Sequence, residues 1–146
     1  MIAARGERPV GRVIGVDHGA RRVGLAVGDE ETGMVFPRST VSAAGAAEVI
    51  ARLAAEEGTD RVVVGLPLNM DGSEGPQAAA AREFGHELTQ LGLEVAFSDE
   101  RLTTWEAEER SRTADRPRGA NAIDSAAAAL ILEQFFADHR RHPEEP

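Results

Sequence analysis

Acidic residues stand at three widely separated points of the sequence where one structural element gives way to another. Asp17 ends an apolar segment, the pair Asp99 and Glu100 ends a second one, and Asp124 opens a third near the C-terminus. One carboxylate from each point, brought together, would suit a hard cation such as Mg²⁺, which prefers oxygen ligands. Two such ions can hold the attacking and leaving oxygens of a phosphodiester. The three points therefore predict a two-metal site for phosphodiester hydrolysis.

The composition limits the class of protein. A chain of 146 residues predicts a single domain over residues 1–146, with an ordered core from about residue 10 to about residue 137 and flexible tails. Cysteine is absent, which excludes disulfides and thiolate metal sites. No segment reaches the roughly 20 apolar residues that span a bilayer, and the N-terminus does not resemble a signal peptide. We therefore expect a soluble, cytoplasmic protein that does not contact membranes.

The charge distribution bears on nucleic-acid binding. The formal net charge of −9 argues against a protein that coats nucleic acid, because nonspecific binding depends on many Lys and Arg contacts to phosphates. All 16 basic residues are arginines, and several stand close to the acidic points. These are Arg21, Arg22, Arg101, Arg116 and Arg118. Arginine binds phosphate through paired hydrogen bonds, so the cluster predicts local phosphate contacts; ordinary surface arginines are the alternative.

Hydrophobic periodicity predicts an alternation of strands and helices. The predicted strands are Arg12–Asp17, Val23–Asp29, Met34–Val41, Arg61–Leu66 and Glu94–Ser98. The predicted helices are Ala46–Glu57, Gln77–Leu91, Thr103–Arg112 and Ile123–Phe136. This order indicates an α/β fold with a five-stranded mixed sheet flanked by helices, in which the first three strands are antiparallel and the last two are parallel. It is the ribonuclease H-like (RNase H-like) order.

The two acids at the end of the last strand cannot be separated by spacing. Strand alternation places Asp99 and Glu100 on opposite faces of the sheet, so only one of them can lie on the same face as Asp17. A buried aspartate at the end of an apolar strand is costly unless it is paired or bound to metal, although Asp17 could also simply form a turn. The pattern thus predicts one ligand from the pair and leaves its identity open.

Asp124 lies on the apolar stripe of the last predicted helix. The same stripe contains Ala127, Ala128, Ile131 and Phe135, three, four, seven and eleven positions later. A carboxylate on that stripe is expected to face the sheet. The alternative is that Asp124 caps the helix, but Asn121 is an equally good cap, so we favour the metal-ligand interpretation.

Four segments of the sequence resemble the successive motifs of one known family. They are GVDHGARRVGLAVGD, VVVGLPLNMDGSEG, DERLTTWEA and IDSAAAALILEQFF. They are similar to the YqgF family, bacterial proteins described as pre-16S ribosomal RNA nucleases and as Holliday-junction resolvase-like proteins. The resemblance implies an RNase H-like fold and a nuclease that uses Mg²⁺ or Mn²⁺, with two ions, in maturing the 5′ end of pre-16S rRNA. It also implies that Asp17, Glu100 and Asp124 are the catalytic, metal-binding residues.

The resemblance also suggests substrate contacts and partners. It implies that the loop PLNMDGSEGP lies on the substrate side, with Asn69 as a hydrogen-bond partner for phosphate or base. The alternative role of its Asn-Met-Asp-Gly run is turn formation. Arg21, Arg22, Arg101, Arg116 and Arg118 are the candidate phosphate contacts; for Arg101, pairing with Asp99 is an equal alternative. The expected partners are pre-16S rRNA, ribosomal assembly intermediates or branched DNA. His18 departs from the family pattern, and alternation places it on the face opposite Asp17, as a packed or edge histidine.

The sequence is also compatible with other functions. A Holliday-junction DNA resolvase would use the same triplet, and a non-catalytic RNase H-like binding module would have no reason to bind metal there. Actin-like ATPases and sugar kinases also begin with a strand, an Asp-X-Gly turn and a hairpin. Those proteins close two domains on a nucleotide, and this chain is too short for a second domain with its own core.

Overall fold

The computed structural model describes residues 11–100 and 120–141, and in the last helix it describes the side chains of residues 125–139. Within these residues the strands are β1 (Arg12–His18), β2 (Arg22–Asp29), β3 (Val35–Ser42), β4 (Arg61–Leu66) and β5 (Glu94–Asp99). The helices are α1 (Ala46–Glu57), α2 (Pro76–Gln90) and α3 (Ala120–Arg141). None of these helices is both long and apolar enough to cross a membrane.

The strands form one mixed sheet in the order β3-β2-β1-β4-β5. Strand β2 is antiparallel to both β1 and β3, whereas β4 is parallel to both β1 and β5. The predicted α/β fold and its mixed five-stranded sheet are therefore confirmed. Helix α3 begins three residues earlier and ends five residues later than predicted. The predicted helix Thr103–Arg112 lies outside the described residues.

The central strands are apolar on both faces because helices cover both sides of the sheet. On one side, α1 and α2 pack against residues such as Ile14, Leu25 and Val64. On the other side, α3 packs against Val13, Ala26 and Val63. The predicted end of α1 is confirmed, since Gly58 adopts the left-handed conformation with φ 72° and its N–H caps the helix.

Helix α3 packs closely against the sheet because glycines stand beneath it. A Cβ atom at Gly15 would come within 2.6 Å of Leu132 and 2.9 Å of the Ala128 carbonyl oxygen, and one at Gly28 would come within 2.8 Å of Phe136. Gly28 pairs with Val13 near the start of β1. Going from Phe136 back through Leu132 to Ala128, the helix thus runs toward the carboxyl end of β1, and its first turns lie there.

Candidate active site at the carboxyl ends of the central strands

Asp17 lies on the α3 side of the sheet. Val13 and Gly15, which precede it by four and two positions in β1, both contact α3, and alternation gives Asp17 the same face. Asp17 is half-buried and pairs with Gly24 of the antiparallel β2. Gly24 is thus the residue of β2 directly opposite Asp17.

Glu100 lies on the same side of the sheet as Asp17. Its N–H donates a hydrogen bond of 2.9 Å to the Leu66 carbonyl oxygen, and its carboxylate Oε2 lies over Gly65, where a Cβ atom would overlap it. Strand β4 separates β1 from β5, and neighbouring strands are about 4.8 Å apart. The Glu100 side chain therefore crosses over β4 in the direction of β1, into space that only glycine leaves open.

The structure separates the two acids that spacing could not. Ala96 packs on the α3 side with Val63, whereas Phe97 packs on the α1 and α2 side, so Glu100 shares the face of Ala96 and Asp99 shares the face of Phe97. Asp99 is exposed and Glu100 is half-buried. Of the pair, Glu100 is the acid that lies on the same face as Asp17.

Asp124 lies in the first part of α3, one helical turn before Ala128. Since the Ala128 carbonyl lies over Gly15, the backbone at Asp124 lies near the carboxyl end of β1, where Asp17 stands. Its side chain is outside the described residues, although the adjacent Ser125 is buried. Among the described side chains, no group of three His, Asp or Glu residues is arranged to hold a metal ion. Two of the three predicted ligands are thus described, and the role of all three stays a prediction.

The chemistry of the described donors suits a hard divalent cation. Both side chains are carboxylates, and the cradle above Gly65 would be filled by any other residue. Oxygen donors favour Mg²⁺ or Mn²⁺ over softer metals. The residues present therefore fit the predicted cations.

His18 takes no part in this cluster. Its ring lies on the opposite side of the sheet, 4.7 Å from the Phe84 ring of α2 between centroids. Burial lowers the pKa of His18 below its ordinary value, and the charge of Glu87 opposes that change in part. The prediction of a packed histidine is confirmed.

The predicted arginine contacts are described only in part. Arg21 and Arg22 are exposed, and alternation with Ala26 places Arg22 on the α3 side. Arg22 directly precedes Val23, which pairs with His18. The structure thus brings Arg22 to the same end and face of the sheet as Asp17. Arg101, Arg116 and Arg118 lie outside the described residues. Binding of phosphate by any of these arginines stays a prediction.

Asn69 forms hydrogen bonds within its own loop. Its side-chain amide donates a hydrogen bond of 2.9 Å to Ser73 Oγ, and its backbone carbonyl oxygen accepts one of 2.8 Å from the Gly72 N–H. This is the turn-forming alternative that the sequence offered. A contact between Asn69 and substrate stays a prediction.

Sequence reasoning missed Gly65 as part of the site. A glycine inside the apolar run VVVGLPL was the available signal, because an isolated glycine in a strand often marks a close approach by another group. The sequence did not say which group approaches. The structure shows that it is the Glu100 carboxylate, together with Ile131, whose Cδ1 would lie 2.6 Å from a Cβ atom at Gly65.

Comparison with known proteins gives consistent matches along the chain. A family model described as "RuvX: Holliday junction resolvase" matches residues 11–138. A protein of Anaeromyxobacter dehalogenans (strain 2CP-C) is 46% identical over 142 residues, covering 90% of this chain and 99% of its own. One of Chloroflexus aggregans is 43% identical over 137 residues, covering 90% and 96%. One of Escherichia coli (O1:K1 / APEC) is 39% identical over 132 residues, covering 86% and 96%.

All three relatives carry the name "Putative pre-16S rRNA nuclease". The matches extend over all four motifs that carried the resemblance and over nearly the whole length of each relative. Together with the matching fold, they show that this chain belongs to the RuvX/YqgF family.

Proposed function

We propose that this protein is a cytoplasmic nuclease that hydrolyses phosphodiester bonds in the maturation of the 5′ end of pre-16S rRNA. The observation that carries the proposal is the position of Asp17 and Glu100 on one face and at one end of the sheet, with the Glu100 carboxylate over Gly65. Membership of the RuvX/YqgF family and the names of the relatives support the activity and the substrate. Ribosomal assembly intermediates are the natural carriers of such a substrate.

We further propose that Asp17, Glu100 and Asp124 hold two Mg²⁺ or Mn²⁺ ions. When bound, such ions lower the pKa of a water molecule and neutralise charge on the phosphate. The protein supplies carboxylates in fixed positions: Asp17 is held by pairing within the sheet, and Glu100 is held by its backbone hydrogen bond to Leu66. Fixed donors avoid reorganisation during the reaction, which is a large part of electrostatic catalysis.

Arginines are proposed to orient the substrate. Arg22 stands at the same end of the sheet as Asp17 and projects from the exposed start of β2. Arg21, Arg101, Arg116 and Arg118 complete the proposed set. Paired guanidinium hydrogen bonds to phosphate oxygens would hold the strand in register without reading its sequence.

A branched DNA junction is the second candidate substrate. The observation that favours it is the description of the matching family model, which names a Holliday junction resolvase. Paired cuts in a junction require a two-fold symmetric enzyme. Cleavage assays on pre-16S rRNA and on a four-way DNA junction, combined with the molar mass from light scattering, decide between the two. A dimer that cuts only the junction would favour the resolvase.

The central test is the substitution Asp17→Asn. It removes one negative charge from the cluster with little change of shape, and we expect cleavage in Mg²⁺ or Mn²⁺ to fall by on the order of a hundred-fold or more. Circular dichroism and thermal unfolding should show an intact fold. Asp29→Asn, at the other end of the neighbouring strand β2, is the control and should retain activity.

Two results would contradict the proposal. Undiminished cleavage by purified Asp17→Asn protein would remove Asp17 from the mechanism. Calorimetric titration of the wild type with Mn²⁺ that shows no binding would instead favour a non-catalytic binding module.

A further inference from the structure

The loop between β4 and α2 begins beside the proposed active site. This loop, residues 67–75, starts directly after Leu66, whose carbonyl accepts the hydrogen bond from Glu100. Four residues span at most about 14 Å, so the backbone of Met70 lies within that distance of Leu66. A nucleic-acid strand bound at Glu100 would therefore pass within reach of the 67–75 loop.

The tip of the 67–75 loop is held by a dense set of internal hydrogen bonds. The Asn69 N–H donates to the Ser73 carbonyl at 2.9 Å, closing the turn across Met70 and Asp71. Asp71 Oδ1 accepts from the Ser73 N–H at 2.9 Å and from its hydroxyl at 2.6 Å. The side chains of Asn69, Asp71 and Ser73 thus each make hydrogen bonds within the turn itself.

A second anchor ties the end of the 67–75 loop to the strand that leads to Glu100. Arg82 Nε donates to both carboxylate oxygens of Glu74, at 2.9 and 2.8 Å. The Arg82 guanidinium carbon also lies 5.2 Å from the centroid of the Phe97 ring, in cation–π geometry on β5. The loop is thereby linked to both neighbours of the site, β4 and β5.

Met70 is the large apolar side chain that this framework presents to solvent. It occupies the turn closed by Asn69 and Ser73, and 62% of its surface is exposed. The loop contains no basic residue, so charge does not attract it to phosphate, and its two acids are engaged with Ser73 and Arg82. An apolar thioether on a rigid turn suits the face of a nucleobase, because methionine packs well against aromatic rings and can insert between bases.

We infer that Met70 packs against a nucleobase of the bound strand, close to the phosphate that is cleaved. Asn69, Asp71, Ser73 and Arg82 act as positioning residues that hold the methionine in place. The inference rests on the proposed function in one respect, that the ligand is a nucleic acid with unstacked bases. It adds that part of the affinity comes from base contact rather than from phosphate contact.

Binding can be measured without cleavage in an Asp17→Asn background. The probe is a fluorescein-labelled single-stranded RNA with the sequence around the 5′ end of 16S rRNA, and the readout is its Kd by fluorescence anisotropy. Adding Met70→Ala should raise Kd about ten-fold, as expected for loss of one buried methionine contact. Met70→Leu, which keeps an apolar side chain of similar volume, should restore most of the affinity.

A double-mutant cycle locates the contact on the RNA. Single abasic nucleotides are placed in turn along the probe, and Kd is measured with and without Met70→Ala. At the contacted nucleotide, the loss of affinity caused by Met70→Ala and the loss caused by removing the base should not add. At every other nucleotide the two losses should add. Leu130→Ala is the matched control, because Leu130 is also 62% exposed but lies on α3, and it should leave Kd unchanged.

Three results would overturn the inference. The first is an unchanged Kd for Met70→Ala. The second is a loss of affinity on Met70→Ala that is as large for fully abasic RNA as for the intact probe, and the third is a wild-type protein that does not bind the probe.

Failure of the nuclease proposal looks different. In that case the coupling between Met70 and a base is observed, but wild-type protein cleaves no substrate. Cleavage without coupling would leave the nuclease proposal standing and remove Met70 from the substrate site. Thermal unfolding of each variant should confirm an unchanged fold, since Met70 is exposed.

Discussion

The two faces of the sheet are built differently, although the same strands supply both. On the α1 and α2 side, branched and aromatic residues continue to the carboxyl ends of the strands, as in Val62, Val64 and Leu66 of β4. On the α3 side, side chains near the same ends are small and then acidic. On this face, β1 presents Val13, Gly15 and Asp17 in order. Strand β5 and the residue after it present Ala96, Ser98 and Glu100.

This difference suggests that one face mainly stabilises the fold and the other accommodates the carboxylates. Volume that branched residues fill on one side is left open on the other, and the Glu100 carboxylate occupies part of that space above Gly65. The first face contributes a uniform apolar core, which stabilises the fold in proportion to the area it buries. The second face gives up some of that burial at the strand ends that bear Asp17 and Glu100.

Acids on the α1 and α2 side have a different environment. Glu57 of α1 accepts hydrogen bonds from Arg12 at 2.5 Å and from Arg38 at 2.8 Å, which connects the helix to β1 and β3. The hydrogen bond from Arg38 is the largest cause that lowers the pKa of Glu57. Glu57 is thus held by two arginines and is expected to affect stability rather than catalysis.

The largest expected difference between the faces is at the neighbouring acids Glu100 and Asp99. Glu100→Gln should reduce kcat/KM by on the order of a hundred-fold, because it removes a charge from the proposed metal site. Asp99→Asn, one residue away on the opposite face, should stay close to wild type. Steady-state cleavage assays at saturating Mg²⁺ measure both. Equal losses in the two variants would show that the face of the sheet does not determine function.

A second, smaller difference is expected between two crowded glycines. Gly65→Ala forces a Cβ atom against Glu100 and Ile131 on the α3 side, whereas Gly85→Ala forces one to within 2.5 Å of the Phe97 ring on the α2 side. Overpacking of this kind costs roughly 1–3 kcal/mol in the free energy of unfolding, partly offset at Gly85 by the better helix propensity of alanine.

The two glycine variants should differ in activity more than in stability. At a temperature where both are fully folded by circular dichroism, Gly65→Ala should lose most of its cleavage activity because the Glu100 carboxylate is displaced. Gly85→Ala should retain it. If Gly65→Ala cleaves as well as Gly85→Ala, the space above Gly65 is not needed for catalysis.

The smallest expected effect is on the structural acids of the α1 side. Glu57→Gln should lower the free energy of unfolding by about 1 kcal/mol near pH 7, since the ion pairs are partly exposed. The pKa of Glu57 is lowered by folding, so its stabilisation is present above the ordinary value of 4.5 and disappears as pH falls through the lower folded value. The gap between wild type and variant should therefore close in acid.

Urea unfolding at neutral and acidic pH measures this gap. Glu56→Gln provides the control, because Glu56 is the preceding residue of α1 and is exposed. A gap that persists unchanged below the folded pKa would show that Glu57 stabilises the protein through packing rather than charge. Cleavage activity at neutral pH should be the same in both variants.

Local patterns in the sequence determined most of the fold. The alternation and apolar runs of β1, β2 and β4, the glycine stop at Gly58 and the amphipathic stripe of the last helix identify elements whose side chains repeat with the period of the structure. Register and boundaries were less accessible. Helix α3 extends beyond both of its predicted ends; in its C-terminal extension the His139 ring lies 4.0 Å from the Phe135 ring, a contact that the apolar pattern did not include.

The sequence by itself determined the element order, the family, and the existence of acidic residues at the ends of apolar segments. Only the tertiary structure decided that Glu100 and not Asp99 faces the same way as Asp17, that Gly65 supplies the space, and that Asn69 is used within its own turn. The physical reason is that periodicity fixes the relative faces of residues within one strand. Which face of one strand meets which face of the next depends on the pairing and on the helices that cover them.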